Sequence, residues 1–162
     1  MGTAAKTLGP ALRLAWLVLP ARLVEPVVEA KRHLDLQSET IGQLALAELI
    51  GDHGYDRQVR TVRRRYRQRR DLLLNRLGDR SAVAGVAAGL HATVHLRPGG
   101  PTEGAVLAAA AARGLAVGGL AMHRHQPESG PPGLVVGYAR PPAHAYPAAV
   151  DLLAGVLRDL DA

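Results

Sequence analysis

The chain has no cysteine and no phenylalanine, one tryptophan, four tyrosines and only two lysines in 162 residues. Without cysteine there is no disulfide scaffold, no thiolate nucleophile and no cysteine-ligated metal centre. With so few aromatic rings, aliphatic side chains and alanine must build the core. Long apolar runs are missing too. The stretch Leu12 to Pro20 is interrupted by Arg13 and falls well short of the roughly 20 residues needed to span a bilayer. The amino terminus lacks a charged region followed by a continuous apolar one, so it does not read as a signal peptide. These features predict a cytoplasmic protein with no membrane partner. No segment repeats.

Scarcity makes the lysines informative. Lys6 lies in Gly2-Thr3-Ala4-Ala5-Lys6-Thr7-Leu8-Gly9-Pro10-Ala11-Leu12-Arg13-Leu14-Ala15-Trp16. Small and hydroxyl-bearing residues precede the amine, and an arginine follows it. An amine attacks an aldehyde only when neutral, which calls for crowded, poorly solvated surroundings. Thr3 offers a hydroxyl donor, and Arg13 offers a planar fork for phosphate oxygens.

This segment resembles the Schiff-base lysine segment of fold-type I pyridoxal-phosphate (PLP) proteins. The nearest resemblance is to the aminotransferase-like domain of MocR regulators, a branch of the GntR transcription factors, whose segment reads Gly-Thr-x-Ser-Lys-Thr-Leu-Ala-Pro-Gly-Leu-Arg-Leu-Gly. The resemblance implies that Lys6 is the Schiff-base lysine and that Thr3 and Arg13 are phosphate ligands of a pyridoxal 5'-phosphate cofactor. Ala5 stands where the family has serine, which removes one hydroxyl. Ala11 and Ala15 stand where it has glycine, which adds methyl groups at close backbone approaches. Both changes predict weakened cofactor binding.

The resemblance also implies an α/β fold that is the C-terminal portion of the fold-type I aminotransferase fold. Residues 1–54 would be a remnant of the PLP-binding large domain, 55–77 a long bridging helix and 78–162 a small C-terminal α+β domain. In the family, the partner of the pyridine nitrogen and the ring that stacks on the cofactor lie upstream of such a lysine. A winged helix-turn-helix precedes them in the regulators. The implied partners are therefore a second copy in a full-length homodimer, DNA reached only through that preceding domain, and a small-molecule effector or amino acid.

The net charge of +6 has one source. Arg57, Arg60, Arg63, Arg64, Arg65, Arg67, Arg69 and Arg70 lie together with no acid among them, and the remainder of the chain is slightly acidic. Val59, Val62, Tyr66, Leu73 and Leu77 recur at helical steps. This pattern predicts an amphipathic helix over 55–77 whose basic side is a solvated face. A contact surface for phosphate backbones is the alternative.

Elsewhere the pattern predicts a strand over 13–19 closed by Pro20, and a helix over 23–34 with Pro26 in its first turn. Ser38-Glu39-Thr40 should cap a second helix through Ile50. After a break at Gly78-Asp79-Arg80, a strand over 90–96 alternates apolar and polar residues. Thr102 caps a helix to Arg113, 115–117 and 133–139 are strands, and Pro147 opens a last helix to about Leu160. Gly99-Gly100 and Gly118-Gly119 read as turns. His91, His95, His123 and His125 lack accompanying carboxylates, so no metal site is expected.

In the transaminases of the resembled family, an arginine near the last strand forks the substrate carboxylate. Val135 occupies that place here, and Arg140 falls beyond the strand. Three function classes follow: the ligand-sensing module of a MocR-type regulator, a PLP-dependent class I/II aminotransferase, and an inactive truncated remnant. Transaminase activity of this chain alone is not expected.

Overall fold

A computed structural model describes every residue except 37, 79–81, 85–88, 128, 140 and 162. The chain divides into two compact units, Met1–Val62 and Arg63–Ala162.

The first unit opens with a two-stranded antiparallel ladder, β1 (Gly2–Thr3) with β2 (Ala15–Trp16). Two helices follow, α1 (Ala21–Asp35) and α2 (Ile41–Gly51), and then the first turns of the long helix α3 (Gly54–Leu77). The strand expected over 13–19 shrinks to Ala15–Trp16, because among the described residues only β1 pairs with it; Leu17 and Val18 stay exposed. α1 begins two residues earlier than expected, which puts Pro26 inside the helix rather than in its first turn. Proline lacks an N–H, so one intrahelical bond is lost there. Lys31 and Asp35, one turn apart, pair on the exposed side of α1. The cap of α2 comes from the expected segment, through its middle residue. Neither Ser38 nor Thr40 caps it; the Glu39 carboxylate accepts from the Gly42 N–H at 2.7 and 2.9 Å. A carboxylate serves a helix start well because it meets both the unpaired N–H groups and the positive end of the dipole. α1 and α2 contain no buried residue.

The second unit is a four-stranded antiparallel sheet in the order β3 (Ala82–Ala84), β4 (His91–His95), β6 (Gly133–Gly137), β5 (Gly118–Gly119). It packs with the C-terminal half of α3 and with α4 (Glu103–Ala112) and α5 (Tyr146–Leu160). The alternation read in 90–96 appears as expected: Ala92, Val94 and Leu96 are buried, with less buried residues between them. Leu73, Leu77, Val106, Leu134, Val136, Val150, Leu153, Val156 and Leu157 complete an almost wholly aliphatic core. The Thr102 hydroxyl accepts from the Ala105 N–H at 3.2 Å, the expected cap, and Pro147 sits in the first turn of α5. The expected break at Asp79-Arg80 lies outside the described residues.

Gly118-Gly119 is a strand and not a turn, and 115–117 is not a strand. Gly119 pairs with Leu134, and a Cβ there would lie 2.1 Å from a carboxylate oxygen of Glu103. That carboxylate accepts from the Ala121 N–H at 3.1 and 3.3 Å and from the Gly133 N–H at 3.2 Å, bridging the start of α4 to β6. Only glycine leaves room for this bridge. Glu103→Ala strands two partly buried N–H groups and should cost about 1–3 kcal/mol in chemical denaturation. Glu103→Gln, which keeps one acceptor oxygen, should recover part of that. Equal stability of all three proteins would remove the bridge from the account.

Candidate functional site

The segment singled out in the sequence folds as a hairpin. Thr3 pairs with Ala15 and Gly2 with Trp16, and the Ala4 N–H extends the ladder by donating to the Leu14 carbonyl at 3.0 Å. Gly2 is required here, because a Cβ would sit 2.4 Å from the Trp16 indole. Ala4 is fully buried, and its carbonyl accepts from the N–H groups of Thr7 (3.2 Å) and Leu8 (2.9 Å). That double acceptance coils residues 4–8 into a turn and carries exposed Lys6 near its tip. A 3₁₀ turn, Pro10–Leu12, returns the chain to Arg13.

All three sequence-predicted site residues therefore belong to one hairpin: Thr3 at its neck, Lys6 in its turn, Arg13 on the return. Arg13 has φ 52, a left-handed conformation that is strained for a residue with a Cβ. It also forms part of a cleft of about 990 Å³ bounded by Leu12, Trp16, α1 and α2. Arg13 is exposed and makes no ion pair among the described residues, whereas the other cation of the cleft, Lys31, is paired with Asp35. Lys6 does not line this cleft.

The donor set suits a phosphorylated aldehyde: one primary amine, one exposed guanidinium and one hydroxyl within a single short loop. The Thr3 hydroxyl is already engaged. It donates to the Leu14 carbonyl at 3.0 Å and accepts from the Ala5 N–H at 3.2 Å, so a phosphate would have to displace the first of these bonds. The donor types fit the group, and Arg13 has the freer donors; Lys6, however, is exposed, not in the crowded, poorly solvated setting expected for a neutral amine.

Two residues that the sequence reading passed over hold the loop. The Tyr55 hydroxyl pairs with Thr7 Oγ1 at 3.3 Å, and Gln58 Nε2 donates to the Thr7 carbonyl at 3.3 Å. The two lie three apart on the first turns of α3, so both meet the residue next to Lys6. Nothing in local sequence marks them, since their partner is about fifty positions away. In the second unit, Val135 is half-buried in β6, paired with Thr93 and Gly118, while Arg140 lies outside the described residues.

Comparison with known proteins places this hairpin in context. Residues 1–118 match the family model for aminotransferase class I and II. An uncharacterised HTH-type transcriptional regulator of Bacillus subtilis, YhdI, is 32% identical over 117 residues, covering 68% of this chain and 24% of that protein. The HTH-type transcriptional regulator NorG of Staphylococcus aureus is 27% identical over 74 residues, covering 46% of this chain and 17% of that protein. The chain thus spans a quarter or less of the length of these two regulators. Among solved structures, LysN, the α-aminoadipate aminotransferase of Thermus thermophilus complexed with N-(5'-phosphopyridoxyl)-L-leucine, superposes with a TM-score of 0.81 at 23% identity. The match covers 98% of this chain and 41% of that one. At that identity the likeness is one of fold, and the fold is the C-terminal portion of the aminotransferase architecture.

Proposed function

This chain belongs to the aminotransferase class I and II family, and from that premise we propose that it is the C-terminal part of the PLP-binding effector domain of a MocR-type transcriptional regulator. The observation that carries the reading is the hairpin with Lys6, Thr3 and Arg13 in a chain whose curated relatives include HTH-type regulators. Lys6 is the residue that bonds the cofactor. Arg13 forks its phosphate, and Thr3 adds a hydroxyl. Tyr55 and Gln58 keep the lysine turn in place through Thr7. PLP, when bound, supplies an aldehyde for the amine and an electron-withdrawing ring.

Val135 supports a sensing role over transamination, since an isopropyl group cannot hold the carboxylate that an amino-acid substrate presents. The full-length regulator is a cytoplasmic homodimer that reaches its operator through a preceding winged-helix domain. Among the described residues, no helix is long and apolar enough to cross a membrane.

The two lysines make the test sharp. The protein is incubated with PLP, reduced with borohydride, digested and mapped by mass spectrometry. The phosphopyridoxyl mass should fall on Lys6 and not on Lys31, and it should vanish in Lys6→Ala. Arg13→Gln should weaken labelling by about tenfold or more, the loss of a charge-assisted contact of ~1.5–3 kcal/mol. Equal labelling of Lys31, or labelling elsewhere undiminished in Lys6→Ala, would dismiss the assignment.

A further inference from the structure

The arginines of α3 are not equivalent. Arg69 is buried and Arg70 half-buried. Arg57, Arg60, Arg64 and Arg67 are exposed and follow one another at steps of three, four and three, which draws them into a line along one side of the helix. By helical geometry that side lies opposite the apolar stripe of Val62, Tyr66, Leu73 and Leu77. Arg57 lies 3.6 Å from Asp52, while Arg60, Arg64 and Arg67 have no ion pair or hydrogen bond among the described residues. Arg63 and Arg65, also exposed, flank the line. No acidic residue occurs between Asp56 and Asp71.

Such a line costs self-repulsion, and among the described residues only Arg57 of the four has an acidic partner. We propose that it is a docking surface for the phosphate backbone of double-stranded DNA, indifferent to base sequence. The ten steps from Arg57 to Arg67 rise about 15 Å. Double-stranded DNA carries about four phosphates per strand in that axial length, at ~3.4 Å of rise each, on a path that winds around the axis. Long arginine side chains spread from a straight helix to meet such a path. The guanidinium fork matches phosphate oxygens, and charges in line suit a periodic polyanion better than the irregular surface of an acidic protein. An anionic membrane fits poorly. Interfacial helices bury their apolar face in lipid, whereas Leu73 and Leu77 on this helix are already inside a protein core. One helix contacting phosphates carries no base readout, so the surface adds affinity and not specificity. This surface needs neither PLP nor Lys6.

The experiment is fluorescence anisotropy of the full 162-residue chain with labelled 24-base-pair DNA duplexes of two unrelated sequences, across a salt series. Both duplexes should bind alike, with affinity falling by about two decades between ~50 and ~200 mM salt, the slope expected for about four phosphate contacts. Arg60→Gln/Arg64→Gln/Arg67→Gln should flatten the log–log salt slope by about 2.7, at about 0.9 per contact. The corresponding Lys triple should keep the slope, because lysine retains the point charge. Arg64→Gln alone tests the same point, with a change of about 0.9, should the triple variant fail to fold. Any of four results would overturn the proposal: no duplex binding at ~50 mM salt, an unchanged slope in the Gln variants, tighter binding to phosphatidylserine vesicles than to DNA, or a clear preference for an RNA duplex of the same length.

Discussion

Leu134→Ala should lower the stability of the Arg63–Ala162 unit by about 2–5 kcal/mol. Leu134 is fully buried at the centre of the sheet, where its strand pairs with Val94 on one side and Gly119 on the other. Truncation removes the transfer free energy of the lost methylenes and leaves a cavity. The surrounding core of valine, leucine and alanine fills that cavity poorly, because it has no long flexible side chain to move in. A whole domain rarely exceeds ~5–15 kcal/mol of stability, so the change should be visible as a large fall in the denaturation midpoint. Leu17→Ala is the matched control. Leu17 is 54% exposed, and its loss should stay within about 0.5 kcal/mol. Tyr66, Tyr138 and Tyr146 lie in the second unit, so near-ultraviolet tyrosine ellipticity during urea titration reports on it. A loss below ~1 kcal/mol for Leu134→Ala would mean that this residue does not sit in a packed core.

Arg69→Met should cost about 2–4 kcal/mol, although it keeps an unbranched apolar stem. Arg69 is only 8% exposed, and its guanidinium donates to the carbonyls of Tyr138 (2.8 Å) and Ala139 (3.2 Å). It also lies 5.0 Å from the centre of the Tyr146 ring, whose hydroxyl donates to the Arg69 carbonyl at 2.9 Å. Methionine fills the space of the stem but leaves the carbonyls without their donor. Arg69→Lys should recover only part of the loss, since an ammonium cannot reproduce the planar fork.

The same cluster predicts an alkaline limit. Burial pushes the Tyr146 hydroxyl up to about 12; the nearby Arg69 guanidinium opposes this, and Tyr138 adds to it. A pKa raised on folding means that the folded state keeps a proton the unfolded state releases from about pH 10. The contribution is therefore whole below pH 10 and is lost as pH rises toward 12. In Tyr146→Phe this part of the alkaline decline should disappear, at the cost of the bond to the Arg69 carbonyl. A decline of unchanged steepness in Tyr146→Phe would assign it to other groups.

Arg69 departs from the solvated arginine face that the sequence pattern predicts, because it is buried. Eight arginines in fourteen positions look alike in one dimension, and periodicity puts Arg69 close to the apolar stripe without saying that a guanidinium belongs there. What qualifies it is a pair of carbonyls just beyond β6, about seventy residues away, which no local pattern announces. Glu103 and Gly119 make the same point, since a glycine pair reads as a turn until a carboxylate from another element needs the space.

The site was legible because its residues are contiguous. Thr3, Lys6 and Arg13 sit within eleven positions, so a family resemblance carried by one short segment could group them, and the hairpin that joins them closes locally. Tyr55 and Gln58 were not legible, since they meet the loop across about fifty residues.

The sequence by itself determined the aliphatic character of the core, the alternation of β4, the reach of α3, the Thr102 cap and the donor groups that the lysine loop carries. Each of these depends on residue type and on neighbours within a turn or a strand. Only the tertiary structure decided where strands end, which arginine is buried and which glycines are packed against. Those depend on whether a backbone or side-chain group finds a partner far along the chain, and unpaired polar groups are too costly to bury without one. Leu17 and Val18 look like strand in sequence and are not, because a strand exists only where another strand lies beside it.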